Sequence, residues 1–199
     1  MAHLYNTASL TPSKLELLQA FAPGRSWFTD GGPLGVVGAY RWDDPDGEVG
    51  IEIHLVRSGD RVFQIPVTYR AAPLDDAVPV GTTEHSVLGR RWVYDGCTDA
   101  VSVRALATAL CTAAPQAEVV LEDGSHREPS VLTSVEGDRG AVPVIDDVTA
   151  VDEDISTLIR AGGCEFVLQR LLGPDVPGRA RLTGSWDGQP PVGLAAVRV

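Results

Sequence analysis

The hydrophobic and polar positions along the chain predict a helix near the N-terminus. In "LTPSKLELLQAFA", Leu15, Leu18 and Phe21 recur at helical spacing and define one apolar face. Thr11 is a favoured N-cap residue, and Pro12 suits the first helical position. A Pro-Gly pair ends the pattern. These positions predict a short amphipathic helix.

A second, longer helix is predicted over "TDAVSVRALATALCTAA". Either Thr98 or Asp99 can cap its N-terminus, because both side chains accept hydrogen bonds from backbone N–H groups. Val101, Leu106, Leu110 and Ala113 fall on one face of this helix. That spacing predicts a buried apolar stripe.

Between the two helices, the pattern changes to the alternation that is typical of β-strands. In "VGIEIHLVR", one face carries only apolar residues and the other is mixed. The two sets are Ile51, Ile53 and Leu55 against Glu52, His54 and Val56. The turn "SGD" and the run "RVFQIPVTYR" then predict an antiparallel hairpin. Further strands are predicted at "LGVVGAYRW" and "RRWVYD".

Beyond Pro115 the sequence predicts β-strands almost exclusively. The predicted strands are "AEVVLED", "PSVLTSVEG", "CEFVLQRLL", "RARLTGSW" and "VGLAAVRV". Two main helices and many hairpins predict an α+β fold with a mostly antiparallel sheet. We divide the chain into residues 1–114 and a β-rich region, residues 115–199. No Gly/Ser-rich linker separates them, and "FVLQRLL" is apolar on more than one face. We therefore expect the two regions to pack together around a shared core.

The composition excludes several classes of partner. The formal net charge is -11, whereas nucleic-acid binding rests on a basic surface. Neither a nucleic acid nor an anionic membrane is expected as a partner. The N-terminus lacks the basic and apolar regions of a signal peptide, and no apolar run approaches the length of a membrane span. We therefore expect a cytoplasmic protein.

The three cysteines, Cys97, Cys111 and Cys164, are far apart and form no CxxC pair. The spacing gives no zinc or redox motif. "DDPDGE" is acidic, but its spacing fails the EF-hand calcium pattern and predicts a solvated hairpin turn. The acidic run 152–154 is likewise expected at the surface. We predict no metal site and no cofactor.

Motifs of catalysis are also missing from the sequence. Neither of the phosphate-binding motifs GxxxxGK[ST] and GxGxxG occurs in the sequence, and the His-x-Asp motif of a kinase catalytic loop is also absent. The sequence therefore lacks both the phosphate-binding loop and the catalytic Asp that phosphoryl transfer requires. GxSxG is absent as well. His85 and Ser86 are neighbours on a strand and point to opposite faces, so they do not indicate a triad. We predict no catalytic residue.

The stretch "EHSVLGRRWVYDGCTDAV" combines charged and aromatic residues with two glycines. Trp92 and Tyr94 fall on one face of the predicted strand and are able to pack on the second helix. Asp95 and Asp99 can accept hydrogen bonds from backbone donors at the turn and the helix start. The stretch is predicted to be a strand-turn-helix corner.

Three segments in order resemble the N-terminal cap domain of actinobacterial maltokinases and of related aminosugar (glucosamine) kinases. They are "GRSWF" (residues 24–28), "FQIPVTYR" (residues 63–70) and "SVLGRRWVYDGCTDAV" (residues 86–101), and the resemblance covers roughly residues 10–113. The resemblance implies a curved antiparallel sheet packed on helices, ahead of two kinase lobes that hold the chemistry. "FVLQRLL" is similar to the strand that carries a nucleotide-binding lysine, but it has Gln169 and Arg170 there instead.

The resemblance implies a stand-alone, non-catalytic cap-like protein that lacks the kinase lobes. We interpret it as an interaction or regulatory module linked to maltose, trehalose, α-glucan or aminosugar metabolism. Its partner would be a kinase, another sugar-metabolism enzyme or a second copy of the chain. Two alternatives stay open: a sugar- or metabolite-binding protein, and an α-glucan-metabolism enzyme with an unrecognised site. The candidate ligand or partner surface consists of Trp27, Trp42, Arg91 and Trp92.

Overall fold

The computed structural model describes residues 2–4, 8–29, 31–121 and 124–198. It contains the helices α1 (Lys14–Phe21) and α2 (Ala100–Thr112), with short 3-10 turns at Ala22–Gly24 and Gly96–Thr98. The strands are β1 (Ala2–Leu4), β2 (Leu10–Thr11), β3 (Gly35–Trp42), β4 (Gly50–Ser58), β5 (Arg61–Arg70), β6 (Pro79–His85), β7 (Gly89–Asp95), β8 (Val119–Leu121), β9 (His126–Arg127), β10 (Leu132–Gly137), β11 (Val148–Asp152), β12 (Ser156–Ala161), β13 (Cys164–Gln169), β14 (Ala180–Ser185) and β15 (Val192–Val197).

Helix α1 begins at Lys14 because Ser13 and Glu16 form a capping box. The Ser13 hydroxyl accepts a hydrogen bond from the Glu16 backbone N–H, and the Glu16 carboxylate accepts one from the Ser13 backbone N–H at 2.7 Å. The prediction that Thr11 caps this helix was therefore wrong. The reciprocal pair satisfies two backbone donors at once, and Thr11 instead ends the short strand β2.

Two six-stranded sheets make up most of the molecule. The first has the strand order β2-β6-β7-β5-β4-β3, and the second has the order β10-β14-β15-β13-β12-β11. Every neighbouring pair in both sheets is antiparallel. A small third sheet, β1-β8-β9, includes the parallel pair β1–β8. The predicted α+β class with mostly antiparallel, curved sheets and two helices is confirmed.

The central strands β4 and β5 of the first sheet are buried on both faces. On one face, Phe63, Ile65 and Val93 pack with the apolar side of α1. On the other face, Ile53 and Leu55 join a large cluster with α2 and with the second sheet. That large cluster contains side chains from both sides of Pro115 in the sequence: Tyr40, Ile53, Leu55, Leu106 and Leu110 together with Ile159, Phe166, Leu168, Leu182 and Leu194.

Strand β13 shows why the second sheet also needs cover on both faces. Phe166 and Leu168 enter the large cluster, and Val167 packs on the opposite face with Val176. Just after β13, the chain pairs with the start of β5, where the Gln64 N–H donates to a main-chain carbonyl at 2.8 Å. The two sheets are therefore joined by backbone hydrogen bonds as well as by side chains.

The corner between β7 and α2 is held by two aspartates. Asp95 accepts a hydrogen bond from the Cys97 N–H at 3.0 Å, and Asp99 accepts one from the Val101 N–H at 3.0 Å. The predicted role of these two side chains is confirmed. Asp99, which also binds Arg70 through both oxygens at 2.7 Å, is the N-cap of α2.

Candidate functional site

Strand register places three ionisable side chains on the face of the first sheet that α1 covers. Arg41 on β3 is paired with Glu52 on β4, and Ala39 is paired with His54. Successive residues of a strand point to opposite faces. Arg41, Glu52 and His54 therefore point toward α1, while Ile53 enters the core beneath α2.

Helix α1 adds a fourth ionisable side chain to this cluster. Lys14 is the first residue of the helix, and its Nζ donates to Glu52 Oε2 at 2.5 Å. The same ammonium group lies 5.7 Å from the centre of the Tyr69 ring. The capping box of Ser13 and Glu16 fixes where the helix begins, so it also fixes where Lys14 emerges.

Glu52 is the centre of the cluster. Besides Lys14, Arg41 Nη2 lies 3.3 Å and His54 Nε2 lies 3.5 Å from Glu52 Oε2. The Tyr69 hydroxyl lies 3.4 Å from His54 Nε2. Glu52 is 6% exposed and His54 is 7% exposed. A nearly buried carboxylate thus has two cations within ion-pairing distance.

The protonation states follow from these contacts. Burial on its own would raise the pKa of Glu52, but His54, Lys14 and Arg41 outweigh it and hold that pKa well below its usual range. Burial lowers the pKa of His54 to about 4, although the Glu52 charge opposes this shift. Burial, reinforced by the Glu52 charge, raises the pKa of Tyr69. At neutral pH the cluster is an ionised carboxylate between two cations, with a neutral imidazole beside it.

Two adjoining cavities meet at this cluster, and Ala39, Glu52 and Ser130 line both of them. The larger cavity, about 640 Å³, is called here the polar arm; its other polar lining residues are Arg41, Gln116, Glu118, His126, Arg127, Glu128, and Thr133. The smaller cavity, about 290 Å³, is called the apolar arm and is lined by Leu15, Leu18, Val36, Val37 and Val56 beside Lys14 and His54. The two arms together are called the Glu52 cleft.

The outer wall of the Glu52 cleft is formed by residues 115–119 and 126–133, which contact the edge strand β3 at Arg41 and Ala39. The Ser130 hydroxyl accepts a hydrogen bond from the Ala39 N–H at 2.9 Å and lies 3.1 Å from the Ala39 carbonyl. Gly38 permits this approach, since a Cβ there would stand 2.9 Å from Val131 and 3.1 Å from the Ser130 hydroxyl. The side-chain oxygen of Gln116 stabilises the same wall by accepting a hydrogen bond from the Thr133 N–H at 2.8 Å.

None of the four residues chosen from the sequence lines the Glu52 cleft. Trp27 is fully buried in the cluster beneath α1, and Trp42 is buried in the large cluster on the other face of the first sheet. Arg91 and Trp92 are half-buried on β7. The tryptophans at 27 and 42 are enclosed because their rings pack against other aromatic rings: Trp27 on Phe63 and Trp42 on Tyr40.

A second polar network lies inside the core and connects the two halves of the chain. Arg170 is fully buried; it donates to Thr157 at 2.7 Å, and its guanidinium lies 5.0 Å from the centre of the Trp27 ring. Asp152 accepts hydrogen bonds from Arg25 and, at 3.1 Å, from the Trp27 indole N–H. The expectation of a surface charge run at 152–154 was therefore wrong for Asp152, because Arg25, Trp27 and Thr157 all donate hydrogen bonds to its carboxylate.

Sequence reasoning missed the residues that form the Glu52 cleft. Strand alternation did place Glu52 and His54 on one face with Val56, but it could not show that α1 covers that face. One signal was available: Lys14 is the only lysine in the chain, and it opens the helix that packs there.

Within the described ranges, no group of three or more His, Cys, Asp or Glu side chains is placed to share a metal ion. Across the same ranges, no helix has both the length and the apolar character needed to cross a lipid bilayer.

The fold and the cleft define an α+β protein with an antiparallel sheet, one helix on each face of that sheet and an open polar cleft at the sheet edge. Residues 21–99 match the family model of the maltokinase N-terminal cap domain. The resemblance drawn from the sequence is confirmed over that segment. The matched segment runs from the end of α1 to the N-cap of α2 and includes β3 to β7. No curated protein matches the chain.

Proposed function

We propose that this protein is a non-catalytic, cap-like module that binds a saccharide in the polar arm of the Glu52 cleft and serves sugar metabolism as a regulatory or interaction component. The observation that carries the proposal is the convergence of Lys14, Arg41 and Glu52 beside a cavity of about 640 Å³. Cavities of 300 to 1,000 Å³ with a few convergent polar groups are typical of small-molecule sites.

The charges of the cleft favour a neutral, hydroxylated ligand. The lining residues include three cations, Lys14, Arg41 and Arg127, and three anions, Glu52, Glu118 and Glu128. The cleft is therefore balanced although the whole chain carries a net charge of -11. Guanidinium groups donate and carboxylates accept, so vicinal hydroxyl groups can bond to both kinds of side chain at once.

Arg41 is the side chain best placed to contact such a ligand. Its guanidinium has an ion pair with Glu52 on one side and lines the polar arm on the other. Arginine has five N–H donors in a fixed fork, and one ion pair does not use them all. The side chain is 17% exposed, so a bound hydroxyl group would meet a donor that is already held in place.

The link to sugar metabolism rests on the match of residues 21–99 to a maltokinase cap domain. The non-catalytic part rests on the sequence, which contains no glycine-rich phosphate loop of either common type. The purified protein should not transfer phosphate from ATP and Mg²⁺ to maltose, glucose or glucosamine. Phosphorylated sugar formed in proportion to protein concentration would contradict this part of the proposal.

Isothermal titration calorimetry with maltose, trehalose, glucose and glucosamine tests the binding. We expect at least one of the four to bind, and we expect Arg41→Met to weaken that binding by tenfold or more, since a hydrogen bond to a charged group contributes about 1.5–3 kcal/mol. Arg57→Met is the matched control, because Arg57 is an exposed arginine on β4 outside both arms of the cleft. No heat of binding with any of the four sugars, or equal affinity in the Arg41→Met variant, would overturn the proposal.

A further inference from the structure

The apolar arm is a feature that a free sugar would leave empty. It shares the lining residues Ala39, Glu52 and Ser130 with the polar arm, so the two arms lie side by side. Its own walls come from three elements: Leu15 on α1, Val36 and Val37 on β3, and Val56 on β4. A saccharide has few apolar atoms to place against these side chains, whereas an attached hydrocarbon group has many.

The exposure of the residues that line the apolar arm also favours a hydrocarbon group in that cavity. Leu18 and Val56 are at most 2% exposed and form the floor of the apolar arm, whereas Val36 is 69% exposed at its rim. Single exposed apolar residues are ordinary on protein surfaces. Here the exposed valine stands next to a cavity of about 290 Å³, and a hydrocarbon group in that cavity would cover it.

The polar residues between the arms set the orientation of the ligand. Glu52 and Lys14 form the boundary between the arms, and an alkyl chain placed against these charged groups would desolvate them without compensation. Hydroxyl groups are excluded from the apolar arm for the converse reason: on its apolar walls they would lose their hydrogen bonds.

We propose that the ligand of the Glu52 cleft is an amphiphilic glycoside, with its sugar in the polar arm and an apolar aglycone in the apolar arm. The inference rests on the proposed sugar-binding function and adds the second chemical group of the ligand. The proposed ligand is a neutral mono- or disaccharide joined through its glycosidic oxygen to a short hydrocarbon chain.

A series of alkyl glycosides tests the inference. Ethyl, butyl and hexyl derivatives of the sugar that binds best are titrated by calorimetry below their micellar concentrations. We expect the affinity to rise about three- to fourfold for each methylene that is buried, the factor that corresponds to the transfer free energy of one methylene group. Hexanol is the control for the headgroup and should bind at least tenfold more weakly than the hexyl glycoside.

Two variants localise the effect. Val36→Asn should lower the affinity for the hexyl glycoside by threefold or more and leave the affinity for the free sugar unchanged. Val87→Asn is the matched control, because Val87 is an exposed valine that lines neither arm. Its affinities should equal those of the parent protein. Circular dichroism and thermal melting of each variant check that the fold is kept.

The outcomes separate this inference from the proposed function. Free sugars that bind, together with a flat alkyl series, would overturn the amphiphilic ligand and leave the sugar site standing. Failure of both the free sugars and the alkyl glycosides would overturn both proposals. Hexanol that binds as tightly as the hexyl glycoside, or a Val36→Asn variant that keeps the full chain-length dependence, would also refute the inference.

Discussion

The guanidinium of Arg170 donates to the carboxylate of Asp95 at 2.6 Å, and both side chains are at most 1% exposed. Asp95 ends β7 and Arg170 follows β13, so this buried ion pair joins residues that lie 75 positions apart in the sequence. Burying a pair of charges costs much of what their attraction contributes, but removing one partner leaves the other charge buried and uncompensated.

The Asp95→Asn substitution should therefore destabilise the protein by about 3–5 kcal/mol. We expect the lower part of that range, since Asp152 lies 3.9 Å from Arg170 and offers a second carboxylate. Denaturation in urea measures the difference. Glu84→Gln is the matched control, because Glu84 binds Arg90 at 2.7 Å in a pair that is exposed. Such exposed pairs contribute about 0–1 kcal/mol. A loss for Asp95→Asn no larger than that of the control would contradict the prediction.

Acidification should destabilise the protein through His54. Its pKa is about 4 in the folded protein and close to 6.5 when the chain is unfolded, so the unfolded state binds a proton first as the pH falls. Stability is therefore lost between about pH 6.5 and pH 4. We expect on the order of 2–3 kcal/mol of this loss between pH 7 and pH 4.5. The Glu52 carboxylate, with its lowered pKa, adds its own loss only below about pH 4.5.

The His54→Gln variant tests the assignment, since it removes the proton-binding group and keeps a polar side chain. The free energy of unfolding should then change less between pH 7 and pH 4.5 than it does in the parent protein. His126→Gln serves as the control, because the His126 side chain is 62% exposed. An unchanged pH dependence in His54→Gln would show that another group is responsible.

The Trp27→Ala substitution should cost about 3–5 kcal/mol, the usual range for removing a large buried aromatic side chain. Trp27 is fully buried between Phe21, Phe28 and Phe63, with ring centroids 6.2 to 6.4 Å apart. The Trp92→Ala change should cost clearly less, because Trp92 is half-buried on β7. Equal losses in melting temperature for the two variants would be inconsistent with this difference in burial.

Thermal unfolding should show one cooperative transition, and limited proteolysis should find no preferred cut near Pro115. The reason is the large cluster, in which Leu106 and Leu110 of α2 contact side chains of both sheets. Calorimetric and van't Hoff enthalpies that agree would support a single transition. Two separable transitions, or a stable fragment of residues 1–115, would show instead that the second sheet folds on its own.

The sequence by itself determined the local structure of this protein. Apolar spacing predicted both helices, and alternation predicted the hairpin β4–β5 and the strands β10, β13, β14 and β15, because both signals depend only on neighbouring residues. The Asp95 and Asp99 caps were predictable for the same reason. The strands β11 and β12 were missed, since the acidic run around Asp152 was interpreted as surface.

The candidate site was decided by the tertiary structure. Alternation placed Glu52 and His54 on the same side of β4, but only the packing of α1 shows that this side is buried and that Lys14 meets Glu52. Likewise, burial of Trp27 depends on the second half of the chain, where Arg170 and Asp152 surround its ring and indole N–H. Sequence spacing records contacts within one element, whereas the Glu52 cleft and the Arg170 network each join elements distant in the chain, so their chemistry exists only once those elements pack together.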